Sequence, residues 1–176
     1  VSKALKYVGD AVSMTRAALP KDVPLIGFAG APFTLASYLI EGGSSKAFMK
    51  TKAFLHEHRA AAEVLFEYLT QATIDLLNMQ AESGAEALQI FDSWAGCLDP
   101  EQYKRWGLHY TQRIVEAVKR PGLPVIVFPK GCGAYLDIVA QCGADVVGVD
   151  WAVSMTKARQ QVGPNVTLQG NLDPGY

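Results

Sequence analysis

Five side chains in this 176-residue sequence combine reactive chemistry with a telling position. Asp92, Ser93, Lys130 and Asp150 each fall within two residues of the end of a short apolar run, and Tyr38 comes ten residues after the end of another. A phenol such as that of Tyr38 is a directional donor and acceptor, able to orient a carboxylate or a neighbouring acid. The Ser93 hydroxyl can bond a carboxylate oxygen. Each residue also has an ordinary reading. Tyr38 is then a half-buried residue of an amphipathic element, and Ser93 caps the turn that follows it. Lys130 either meets a substrate carboxylate or is a solvated strand-end lysine. Asp92 and Asp150 cap helices, pair with cations, or act as acid and base. Phe28 and Phe91 are core residues or apolar walls that exclude water from a cleft, which strengthens every polar contact inside it.

Other chemistries fit poorly. Cys97, Cys132 and Cys142 are odd in number and irregular in spacing, which is no disulfide framework and fits a reducing cytosol. The histidines are His56, His58 and His109. The first two lie roughly 200° apart around a helix, so they cannot share a metal. Cys132 stands between two glycines with no histidine placed to activate it, which reads as a tight turn. No metal site is expected.

The elements that must position these residues are legible as alternating strands and helices. Apolar runs at 24–28, 87–91, 124–128, 145–149 and 165–169 have the length of strands and no polar alternation, as in parallel sheets buried on both faces. Helical patterns cover 2–18, then 45–83 with a break near His56–His58, and then the segment opened by Asp99 as N-cap and Pro100 at the first helical position, ending near Lys119. Shorter ones cover 135–141 and 154–161, with Gly143 and Gly163 as C-caps. The later strands begin at 124, 145 and 166, 21 residues apart. Such alternation implies right-handed crossovers and a parallel sheet. No GxGxxG follows the first strand, and polar and glycine residues gather after every strand: Gly30 to Thr34, Asp92-Ser93, Lys130-Gly131, Asp150, and Asn171 to Asp173. One rim of strand C-termini therefore holds the chemistry. An α/β (β/α)8 TIM barrel is expected, with five of its eight strands in residues 1–176 as a single domain. Tyr38 is expected on a loop after the first of these strands.

Net charge is −1, from 16 Lys+Arg against 17 Asp+Glu, so no global field recruits nucleic acid or an anionic membrane. No apolar run approaches the ~18–20 residues of a membrane span. The sequence begins with Val inside a helical pattern and stops just after a strand-like run, so it reads as a piece of a longer chain.

The segment Gly27-Phe28-Ala29-Gly30-Ala31-Pro32-Phe33-Thr34-Leu35-Ala36-Ser37-Tyr38-Leu39-Ile40-Glu41-Gly42, with Gly43-Ser44-Ser45-Lys46 after it, resembles a signature of the uroporphyrinogen decarboxylases. Ala87-Leu88-Gln89-Ile90-Phe91-Asp92-Ser93-Trp94-Ala95-Gly96 resembles a second family segment. Val127 to Gly131, Gly148 to Trp151 and Leu168 to Pro174 follow in the family's order.

The resemblance implies a (β/α)8 barrel acting as a cytoplasmic homodimer. It would convert the four acetate side chains of uroporphyrinogen to methyls, giving coproporphyrinogen in haem biosynthesis, with no metal or organic cofactor. The chain would supply strands three to seven. By resemblance Tyr38 is a catalytic, substrate-contacting residue, Ser93 binds substrate, and Phe28 and Phe91 line the cleft. The family's N-terminal Arg motif, its pyrrole-gripping aspartate and its late Gly-His-Gly segment have no counterpart here; His109 lies in a helix and cannot substitute. The chain by itself is therefore expected to be inactive. Two other readings remain. A corrinoid-linked methyltransferase shares the barrel but uses zinc and a late His and Cys cluster. A non-catalytic tetrapyrrole-binding module would keep the barrel and lose the chemistry. A phosphate-binding barrel would want a glycine-rich loop where Gly170-Asn171-Leu172-Asp173 stands.

Overall fold

The computed structural model describes residues 3–43 and 45–175. Helix α1 (Lys6–Ala18) leads into strand β1 (Ile26–Gly30), and the helices α2 (Pro32–Glu41), α3 (Met49–Glu57) and α4 (Arg59–Glu82) carry the chain to β2 (Ala87–Asp92). After β2 come α5 (Pro100–Tyr103), a π turn at Lys104–Leu108 and α6 (His109–Val118), then β3 (Val125–Pro129). Helix α7 (Leu136–Val139) precedes β4 (Val146–Gly148), and α8 (Met155–Val162) precedes β5 (Thr167–Gln169).

The helix signals act as their chemistry requires. Asp99 Oδ1 accepts from the Glu101 and Gln102 N–H groups at 2.9 Å each, with Pro100 at the first helical position. Gly143 closes the 3-10 turn Ala140–Cys142 that continues α7, and Gly163 closes α8, at φ 80° and 78°. The break near His56–His58 falls at His58, between α3 and α4. The helix expected from 99 to about 119 contains one π turn, which places buried Trp106 4.9 Å from the ring of Phe66. Apolar periodicity carries no marker for such a turn.

All strand pairs are parallel, in the order β1-β2-β3-β4-β5. An open doubly wound sheet reverses its order at a switch point. Here each new strand adds beside the last, which is the winding of a barrel. The fold is thus α/β, with five consecutive strands of a (β/α)8 barrel and the helices between them. Strands β3, β4 and β5 begin at Val125, Val146 and Thr167, keeping the 21-residue spacing.

The sheet's two faces differ. Leu88, Ile90, Val125, Val127 and Val147 are 0 % exposed on the helix-covered face. Each contributes about 1.5–3 kcal/mol by burial. The opposite face departs from the expectation of strands buried on both sides: Ile26 and Phe28 are exposed there. Nothing among the described residues covers them.

The outer edge of β1 meets a side chain. Gln80 of α4 donates from Nε2 to the Phe28 carbonyl at 2.8 Å and accepts from the Phe28 N–H at 2.9 Å, as a neighbouring strand would. Gly27 makes room for it, because a Cβ there would lie 3.0 Å from Gln80 Oε1.

Candidate active site

The C-terminal ends of β1, β2 and β3 each present a phenylalanine to the uncovered face. Phe28 and Phe91 meet edge to face with centroids 5.8 Å apart, and Phe91 and Phe128 do the same at 6.0 Å. The register explains the row: Phe91 pairs with Phe128, and Phe28 lies two residues below Gly30, the partner of Phe91. In this chain Phe28 is 61 % exposed, while Phe91 and Phe128 are half-buried. Phe128 is a wall residue that the sequence reading did not single out.

Tyr38 is not on a loop. It lies in α2, because Pro32 starts the helix two residues after β1 closes at Gly30, with Ala31 between them as the N-cap residue. The phenol is about half exposed, and its ring stands edge to face on Trp94 at 6.0 Å. Trp94 follows Ser93 in the loop after β2, so the ring that Tyr38 meets belongs to the same loop as Ser93. Ser93 and Trp94 line an open cleft of about 790 Å³ with Ser45, Lys46, Phe48 and Lys130; Tyr38 is not in its wall. The Ser93 hydroxyl makes no hydrogen bond among the described residues, so it caps no turn there.

The cleft is braced on both sides. Phe48 adopts φ 52°, unusual for an aromatic residue, and its ring packs on Trp94 at 5.0 Å. Glu41, at the end of α2, accepts from the N–H and hydroxyl of Thr51 at 2.9 Å each, which fixes the loop between α2 and α3. These bonds hold the Glu41 carboxyl below its ordinary value, the Thr51 N–H being the main cause. Across the cleft the Gly96 N–H donates to the Lys130 carbonyl at 3.0 Å. A Cβ on Gly96 would lie 2.6 Å from Gly131 Cα, so this contact between the loops after β2 and β3 requires glycine.

The two aspartates at strand ends have opposite fates. Both carboxylate oxygens of Asp150 accept backbone N–H groups, from Gly131 at 2.6 Å and from Ala152 at 2.9 Å, so Asp150 braces turns. Asp92 is 1 % exposed and accepts one bond, from the Thr34 hydroxyl at 2.8 Å, while its Oδ2 has no partner among the described residues. Burial pushes its carboxyl up to about 7, with the Thr34 bond pulling the other way. Thr34 belongs to α2, so this pair ties the helix bearing Tyr38 to the strand end bearing Ser93. Nothing in the sequence announces the pair, since its members are 58 residues apart.

Cys97 lines the cleft, whereas Cys132, Cys142 and the histidines stand apart from it. Cys132 is fully buried, 3.3 Å from the Tyr135 hydroxyl, and burial pushes its thiol up to about 12. It is no nucleophile. His109 begins α6 and packs against Tyr110. Among the described residues no group of three His, Cys, Asp or Glu side chains is arranged to hold a metal ion. No described helix is long and apolar enough to cross a membrane.

The family model for uroporphyrinogen decarboxylase (URO-D) matches residues 1–176. The chain belongs to the uroporphyrinogen decarboxylase family. Its relatives include proteins named uroporphyrinogen decarboxylase from Myxococcus xanthus, 48 % identical over 168 residues, and from Hydrogenovibrio crunogenus, 47 % identical over 178 residues. These alignments cover 96 % and 99 % of this chain but 48 % and 50 % of the relatives. The chain thus spans about half the length of the family members it matches. Among solved structures, a methyltransferase from Methanosarcina mazei superposes with a TM-score of 0.79 at 22 % identity, over 94 % of this chain and 48 % of that one. That likeness is one of fold.

Proposed function

We propose that the protein carrying this chain removes CO2 from the four acetate side chains of uroporphyrinogen, giving coproporphyrinogen, as a cytoplasmic homodimer without metal or organic cofactor. The observation that carries this reading is the Phe28–Phe91–Phe128 row at the strand ends, followed by a loop that bears Ser93 and the Trp94 ring met by Tyr38.

The chemistry explains why such a surface is useful. Losing CO2 from an acetate leaves an electron pair that needs a sink. A pyrrole ring supplies one once it is protonated at the ring carbon next to its nitrogen. The protein must accept a flat apolar macrocycle, keep water from it and hold its peripheral carboxylates in place. Three phenylalanine edges offer the apolar wall. The Ser93 hydroxyl bonds an acetate or propionate oxygen, and the Tyr38 phenol orients a carboxylate or an adjacent acid. Asp92 stays out of the chemistry: it is sealed behind the strand end and acts through the positions of Thr34 and Ser93.

The test is turnover of uroporphyrinogen by the full natural protein under anaerobic conditions, with products oxidised and separated by chromatography. Coproporphyrinogen is the expected product, and Tyr38→Phe should lower kcat/KM by about 10–100-fold. The 176-residue chain alone should show no turnover. A full protein that binds the substrate without releasing CO2 would identify a binding module, and bound zinc with methyl transfer would identify a methyltransferase. Either result overturns the proposal.

A further inference from the structure

Lys130 leaves β3 at the rim and lines the same cleft as Ser93. Its ammonium lies 5.3 Å from the ring centroid of Trp151 and forms no ion pair among the described residues. The neighbouring acid, Asp150, forms no ion pair with it and spends one bond from each oxygen on the backbone N–H groups of Gly131 and Ala152. Lys46, on the loop between α2 and α3, lines this cleft as well and also lacks an ion pair among the described residues. The cleft wall contains two lysines, two serines and no carboxylate. A cation held over an indole keeps its charge while losing some freedom. It is therefore partly prepared for a ligand rather than waving in solvent.

From this we infer that Lys130, assisted by Lys46, is the receptor for a peripheral carboxylate of the substrate, beside the Ser93 hydroxyl. The inference rests on the decarboxylase reading and adds an anchoring point to it. The ligand class follows from which donors are free. A phosphate is typically cradled by several backbone N–H groups or by the planar fork of an arginine. Here the Gly131 N–H is taken by Asp150, the Gly96 N–H by the Lys130 carbonyl, and no arginine lines the cleft. Two point charges and the hydroxyls of Ser45 and Ser93 line the cleft, which match a carboxylate. At about 790 Å³ the cleft exceeds the needs of a free small anion and fits the edge of a larger molecule.

Uroporphyrin and coproporphyrin, followed by fluorescence, serve as carboxylate-rich and carboxylate-poor probes of the full natural protein, alongside porphyrinogen turnover. Lys130→Met should weaken uroporphyrin binding about tenfold, and Lys46→Met a few-fold. Both effects should shrink between 50 and 300 mM salt, as screening of an exposed charge requires. Lys130→Arg should recover most of the loss, and the loss in turnover should fall on KM rather than kcat. A merely structural lysine would give none of that salt dependence. Competition by millimolar acetate or phosphate as strong as that of uroporphyrin would show a small-anion site and overturn the assignment. So would wild-type affinity in Lys130→Met while the wild-type protein binds and turns over normally, and that result leaves the decarboxylase reading standing. A wild-type protein that neither binds nor turns over porphyrinogen removes both.

Discussion

On the helix-covered face of the sheet, Ile90 and Val127 are wholly enclosed, whereas one residue along each strand Phe91 and Phe128 turn their rings toward the uncovered face. Both sets are apolar, both are in strands, and the sequence reads them as one continuous run. What separates them is parity. Successive side chains of a strand point to opposite faces, so one set packs under helices and the other faces the barrel axis. Size separates them too. The covered face uses aliphatic residues that interlock with helix side chains. The axial face uses three large rings in edge contact, with Phe28 largely exposed. Inward-facing side chains of a closed barrel either fill its interior or line a site at its mouth, and this row lies near the strand C-termini, where the mouth is. The first set holds the sheet to its helices, and the second is the wall proposed for the ligand.

The contrast is broken most severely from the covered side. Ile90→Ala removes a fully enclosed side chain between β2 and the helices and should cost about 2–5 kcal/mol. Urea unfolding of the full natural protein would show this as a lowered midpoint. A loss below about 1 kcal/mol would mean that the helix layer collapses freely onto the sheet, against the packing described.

Next in size is a polar residue on the same face. Asp92 has its carboxyl raised to about 7 in the fold, against about 4 for an unfolded aspartate. Below pH 4 both states are protonated and the group costs little. As pH rises from about 4 to about 7 the unfolded chain gives up the proton and the fold retains it, so stability falls, by on the order of 2–4 kcal/mol in all. Asp92→Asn keeps an acceptor for the Thr34 hydroxyl and removes the titration. The variant should therefore gain on the wild type between pH 4 and pH 8, with the gap flat above about pH 7. Parallel stability profiles across that range would refute a buried neutral acid.

Much of this framework is visible without coordinates, for identifiable reasons. Asp99-Pro100, Gly143 and Gly163 mark helix ends because caps are local chemistry. Strands of five or six apolar residues stand out because both faces of a barrel strand avoid charge. What stays hidden depends on register or on distance along the chain. Gly30 to Thr34 reads as a loop because it mixes glycine, proline and small residues, yet Pro32 is pre-set for a first helical turn and α2 starts at once, carrying Tyr38 with it. Phe128 joins the aromatic row only because β3 pairs with β2 in a register that puts it opposite Phe91. The Thr34–Asp92 pair joins two segments that no periodicity connects.

The smallest stability effect belongs to the axial face, and it is where the contrast is sharpest. Phe28→Ala removes a ring that is already 61 % exposed and touches its neighbour Phe91 by one edge. The loss in folding free energy should be about 1 kcal/mol or less, the scale of one such aromatic contact. The same substitution takes away a third of the apolar wall, so it should weaken uroporphyrin binding by about tenfold. A residue that matters little to unfolding and much to the ligand is what the exposed face requires. If Phe28→Ala instead destabilised the fold as much as Ile90→Ala and left porphyrin binding intact, the two faces would not differ in role, and the aromatic row would have to be reassigned to the core.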